Sequence, residues 1–255
     1  MPSTHRLQAN FTNRIGSEIL LPAGVKSMFF FGTGYDGNNG NRVAGGAAPS
    51  AIGTPTYSTN YVTVGYNGTT NNTIDTMNQR TSAMLAAGWT WAAVYRCTSS
   101  GATMGDIIQD GGGGGGAIPA IGSICGMSFQ SPSSLNTYII SSTQSVRATF
   151  AMPQNSGNWH FLAITYSGGA AGTHTLNEFT NNIAGGTPAT YVASALAAGN
   201  NSPCLGGNVP PGATSHTYLS DIAWAMISQG PMIQADLATL AAAVRPWLAR
   251  RGIVM

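Results

Sequence analysis

The chain is 255 residues long, enough for one large sandwich or barrel, or for two small domains, with a substantial core. Only 7% of its residues are charged and the net charge is +2, against roughly 25% charged in ordinary globular proteins. That balance excludes the electrostatic footprint of a nucleic-acid binder, and a hydrophobic share of 43% excludes a charge-rich disordered chain.

Residues 1–18 show little periodicity and carry Arg6 and Arg14, so they read as an N-terminal arm before a body spanning 19–255. The opening segment has no apolar stretch of signal-peptide type, and no run of about 18 apolar residues suggests a membrane span. Glycine, proline, asparagine and serine then punctuate the chain at short intervals. Between them lie β-type segments at 25–31, 61–66, 89–97, 126–130, 137–140, 146–152, 159–166, 191–193 and 218–227. Many short strands with no helix-length pattern between them predict an antiparallel sandwich or barrel, not βαβ units.

The segment 89–97 alternates, with Trp89, Trp91, Ala93 and Tyr95 on one face and Thr90, Ala92, Val94 and Arg96 on the other. Core anchoring is the plainer reading of the tryptophans, and a sugar-stacking platform is the sharper one. The segment 159–166 is apolar on both faces, which predicts a central strand covered on each side, with His160 packed inside it. Six consecutive glycines at 111–116 cannot pack and are read as a hairpin tip or loop. A helix is expected over 231–251. Ile233, Leu237, Leu240, Ala241 and Val244 form one stripe, Ser228 or Gly230 would cap the start, and Pro246 would kink or stop it.

Chemistry-bearing patterns are few. Cys97, Cys125 and Cys204 have neither disulfide nor zinc spacing and read as buried apolar residues. Only Glu18 and Glu178 are glutamates, and the nearest acidic pair, Asp106 and Asp110, is read as flanking a loop. Retaining glycoside hydrolysis needs two carboxyls about 5 Å apart, so no such site and no catalytic residue is expected. A lyase would instead use Tyr, His and Arg; His160, Tyr166 and Arg147 fall on what read as neighbouring strands. The oxygen-rich segment from Asp36 to Asn41 is a weak calcium candidate beside the plainer reading of an Asn/Gly turn capped by Asp36. No other cofactor is expected.

Several pieces in order resemble a laminin-G-like domain. They are Gly-Trp-Thr-Trp-Ala-Ala-Val-Tyr-Arg (88–96), Asn-Trp-His-Phe-Leu-Ala-Ile-Thr-Tyr (158–166), Leu205-Gly206-Gly207, the segment 218–227 with Asp221, and the helix beginning near Met232. The resemblance spans roughly residues 85–245. It implies an all-β, concanavalin A-like, two-sheet jelly-roll sandwich with one C-terminal helix, of the type found in bacteriophage tail and capsid-surface proteins.

The first functional expectation is therefore a non-enzymatic virion protein (capsid decoration, fibre or tail component) located on the particle. It would bind copies of itself, a trimer by guess, and other virion proteins. The alternative is a carbohydrate-binding adhesin for a host-surface glycan, with Tyr35, Tyr57 and Tyr191 as candidate contacts. A polysaccharide lyase or hydrolase ranks third. Nucleic acid is not an expected partner, and no membrane span is expected.

Overall fold

The computed structural model describes residues 14–15, 19–20, 23–33, 40–78, 81–98, 105–110, 123–131, 134–141, 145–151, 157–168, 171–178, 189–192, 202–207 and 218–255. These form two large antiparallel sheets, one two-stranded sheet and two helices. The first sheet runs β6 (Val62–Tyr66), β17 (Tyr218–Gln229), β8 (Gly88–Cys97), β13 (His160–Ser167), β14 (Ala171–Glu178), β15 (Ala189–Val192). Two further strands join it: β3 (Val25–Phe30) pairs with β17 and β5 (Thr56–Tyr57) with β6. The second sheet runs β12 (Ser145–Ala151), β11 (Ser134–Ser141), β10 (Ser123–Ser131), β9 (Gly105–Asp110), β16 (Pro203–Leu205), β7 (Asn71–Asp75), with β4 (Ser50–Ile52) on β7. The β6–β7 hairpin, where Tyr66 pairs with Asn71, joins the two sheets. Asn67 holds its turn: the side-chain oxygen accepts from the amides of Thr69 and Thr70 at 3.0 and 2.9 Å. A small antiparallel pair, β1 (Arg14–Ile15) with β2 (Ile19–Leu20), forms a third, separately hydrogen-bonded sheet.

The alternation in β8 places Trp89, Trp91, Ala93, Tyr95 and Cys97 between the sheets and Ala92 and Val94 on the outer face. Facing strands do the same. Leu162, Ile164 and Tyr166 of β13 point inward, while Phe161 and Ala163 point outward. Trp89 stacks on Tyr166 with ring centroids 4.5 Å apart. Both β8 tryptophans are fully buried, so the sugar-stacking reading of this strand is ruled out and the core reading stands. Burying an indole removes about 150–250 Å² from water, worth about 4–6 kcal/mol before chain entropy is counted. In β17 a register shift falls between Ile222 and Trp224. Ile222 and Ala225 therefore face the inter-sheet core while the consecutive pair Ala223 and Trp224 faces out.

A second apolar layer covers the outer face of the first sheet. Helix α2 (Gln234–Ala249) lays Leu237, Leu240, Ala241, Val244, Trp247 and Leu248 on Met28, Phe30, Val94, Phe161, Trp224 and Met226. Thr90 fixes the approach to the helix: its hydroxyl donates to the Gly230 carbonyl at 3.1 Å and accepts from the Met232 amide at 2.9 Å. After the helix, Arg251 is buried, lies over the Trp247 ring and donates to the Phe31 carbonyl.

The helix differs from expectation at both ends. It starts at Gln234 behind Ile233, which offers no side-chain cap, because β17 runs on to Gln229 and so takes Ser228 for the sheet. Pro246 neither stops nor shortens it; α2 continues to Ala249, and Gly252 (φ 73°) ends the turn beyond. A short helix unforeseen in the sequence, α1 (Ser82–Ala87), precedes β8. Its N-cap Thr81 accepts from the Met84 amide at 3.2 Å, and Gly88 closes it at φ 83°. The three cysteines are buried and unbridged. Gly111–Gly116 lie outside the described residues.

Candidate functional site

The tyrosines singled out from sequence do not form one site. Tyr35 lies outside the described residues, as does Asp36 of the calcium candidate. Tyr57 sits on β5 at one end of the first sheet, half-buried against the inter-sheet core, and burial pushes its phenol pKa up. Tyr191 sits on β15 at the other end, opposite Gly172. Six strand spacings separate β5 from β15, about 30 Å at ~4.8 Å each.

The carboxyls are separated too, though not as expected. Asp106 and Asp110 do not flank a loop; both lie on β9. The register shift opposite Met127 and Ser128 inserts Ile107 as an extra residue. Asp110 therefore shares the inward row of Ile108, while Asp106 shares the row of Ser128, on the sheet face turned from the core. Two acids on opposite faces of a sheet cannot flank one glycosidic bond. Asp106 is 6% exposed, and its side chain accepts from the Tyr138 hydroxyl at 2.7 Å. Tyr138 reaches it by crossing Gly126, where a Cβ would stand 2.4 Å from the phenol ring. Burial pushes the Asp106 carboxyl up to about 6 against the lowering effect of the Tyr138 bond. The pair is well built but shut away from substrate.

The lyase constellation separates as well. His160 is on β13 of the first sheet, buried with its ring 5.8 Å from that of Tyr95. Arg147 is on β12 of the second sheet, paired with β11. These strands are not neighbours. Among the described residues, no three His, Cys, Asp or Glu side chains gather as metal ligands.

The constellation that does reach solvent was assembled by register. Thr56, Thr63, Asp221 and Arg96 are successive cross-strand partners on β5, β6, β17 and β8. Trp159, just before β13, extends the row, since its neighbour His160 pairs with Tyr95. The row lies on the outer face of the first sheet. Asp221 is clamped: Thr63 Oγ1 donates to its Oδ1 at 2.7 Å and Arg96 Nε to its Oδ2 at 2.8 Å. The Arg96 guanidinium carbon lies 4.8 Å from the Trp159 ring centroid and 5.0 Å from that of Tyr61. The two rings are 5.7 Å apart at 58° and flank the cation, with Trp159 buried in the outer apolar layer and Tyr61 half-buried; this cation–ring cluster is the Arg96 cleft. Arg96 is 29% exposed at its side chain while Asp221 is 4% exposed. Nε is committed to Asp221, which leaves the two Nη groups as donors at the mouth of the cleft.

No single segment announces this cleft. Arg96 and Asp221 were each visible as a charge within an apolar strand, but only the register brings them together.

No protein-family model matches the chain, and no curated protein is similar to it in sequence. Solved structures do resemble it in fold. The binding domain of botulinum neurotoxin DC, determined with rat synaptotagmin II, aligns at TM-score 0.58 and 11% identity over 86% of this chain and 52% of that one. The binding domain of Paraclostridial Mosquitocidal Protein 1 aligns at 0.54 and 11%, over 85% and 51%. A Trypanosoma rangeli sialidase aligns at 0.56 and 11%, over 98% of this chain and 38% of its own. The chain thus spans about half the length of the toxin domains. At such identities the likeness concerns the fold alone, an antiparallel β-sandwich.

Proposed function

We propose that this chain is a carbohydrate-binding module, acting as an adhesin toward a host-surface glycan and not as a catalyst. The observation that carries this reading is the Arg96 cleft: a partly exposed cation with two uncommitted Nη groups, beside the half-buried Tyr61 and backed by the buried Trp159, on the face of a sheet. Aromatic faces and fixed planar donors are what sugar recognition requires, and strands hold them more firmly than loops. The company of similar folds supports it. One is a type C neurotoxin whose passage into cells depends on interaction with two ganglioside molecules, and another neurotoxin binding domain was determined in complex with SialylT. A non-catalytic role is supported by the opposed faces of Asp106 and Asp110 and by the separation of His160 from Arg147. A glycan array probed with the full chain, with and without calcium, tests the reading. Reproducible binding of a glycan class is expected, and a blank array under both conditions removes it.

We also propose that the module is carried on a virion. The support is the 7% charged composition, which lets repeated copies pack without mutual repulsion.

A further inference from the structure

We infer that the glycan recognised at the Arg96 cleft is acidic, a saccharide whose carboxylate docks on the Nη edge of the guanidinium while its ring lies against Tyr61. This rests on the carbohydrate-binding reading and names the ligand class for that same site.

Three features of the cleft lead to a carboxylate. First, the guanidinium plane is held. Rings stand near it at 4.8 and 5.0 Å, and Nε is pinned to Asp221 at 2.8 Å. A fixed guanidinium edge is a fork matched to two carboxylate oxygens, whereas a neutral hydroxyl uses only one of its donors. Second, Asp221 is engaged on both oxygens, by Thr63 and by Arg96. It therefore has little capacity left to swing across and occupy the Nη donors itself. Third, no other acidic side chain takes them: Asp221 is the single ion-pair partner of Arg96 among the described residues. Tyr61 is half-buried, so the residue beside the guanidinium is not closed off from solvent. Asp221 offsets some of the attraction for an anion, so the affinity of one sugar unit should be weak, on the order of 1 mM.

The test uses the full chain and four small probes: N-acetylneuraminic acid, glucuronic acid and the methyl ester of each. Saturation-transfer NMR and tryptophan fluorescence report binding, the latter because the Trp159 ring packs against the Arg96 guanidinium. The expected result is that the acids bind at least tenfold more tightly than their esters. Arg96→Lys keeps the charge but loses the fork and should weaken acid binding about tenfold. Tyr61→Ala leaves the Arg96–Asp221 pair intact and should weaken it severalfold, so the inference stays testable if the lysine variant folds poorly.

Acids and esters binding alike would overturn the inference while leaving the carbohydrate reading in place. So would acid binding that neither variant weakens. Binding of neutral glycans on the array, with no binding of the acids, sinks only this inference; silence from every glycan sinks both.

Discussion

At the scale of single residues, Asp106 is the side chain with the most to reveal. Its carboxyl is buried, held by one hydrogen bond from Tyr138, and pushed up to about 6 by loss of water. A carboxyl whose pKa is higher folded than unfolded binds its proton more tightly in the folded state. Folding is then penalised fully above the folded pKa, and the penalty fades as pH falls through about 6 toward the unfolded value near 4. The contribution of Asp106 alone should therefore make the protein more stable at pH 5 than at pH 7.5. Asp106→Asn keeps an acceptor for the Tyr138 hydroxyl and removes the charge. It should raise stability at pH 7.5 by about 2–3 kcal/mol, with little change near pH 4, as read by urea unfolding across that range. A variant no more stable than the parent at pH 7.5 would show that the carboxylate is solvated better than its burial implies. Composition had marked Asp106 only as half of an acidic pair. Its placement on the far face comes from one bulge, and a bulge is set by the partner strand.

At the scale of elements, legibility followed the bulk of the side chains. Strands with large apolar residues at every second position, such as β3, β8, β13 and β17, stood out because their pattern and their packing are the same fact. Strands such as β7 (Asn-Asn-Thr-Ile-Asp), β9 (Gly-Asp-Ile-Ile-Gln-Asp) and β14 did not, since their composition is that of turns. Pairing with neighbours made them strands, and pairing overrides weak local preference. The helix was found by its stripe, yet its start was misplaced by a few residues because β17 outbids a cap for Ser228. That stripe is what seals the outer face of the first sheet. Leu237 is fully buried in the layer between helix and sheet. Leu237→Ala should cost about 2–5 kcal/mol, measured as a lower unfolding midpoint in denaturant. A loss below about 1 kcal/mol would mean that α2 is only loosely docked and that the sheet's outer face is stable without it.

At the scale of the whole molecule, the two-layer architecture was legible because only a sandwich or barrel uses so many short strands without crossover helices. The cleft was not, because its members come from residues 61, 63, 96, 159 and 221 and meet only when four strands pair in register. The virion proposal is tested at the same scale. With 10 basic and 8 acidic residues in 255, there is little charge with which copies could attract or repel one another. Any contact between them has to come from apolar burial and from hydrogen bonds of amide and hydroxyl groups, which salt screens weakly. The virion proposal accordingly predicts a defined oligomer at micromolar concentration whose mass in analytical ultracentrifugation is the same at about 50 mM and about 1 M NaCl. An oligomer that dissociates as salt rises would point to charged contacts that the composition can scarcely supply. A strict monomer at both salt concentrations would remove the self-associating role and leave the chain to act as a single glycan-binding unit.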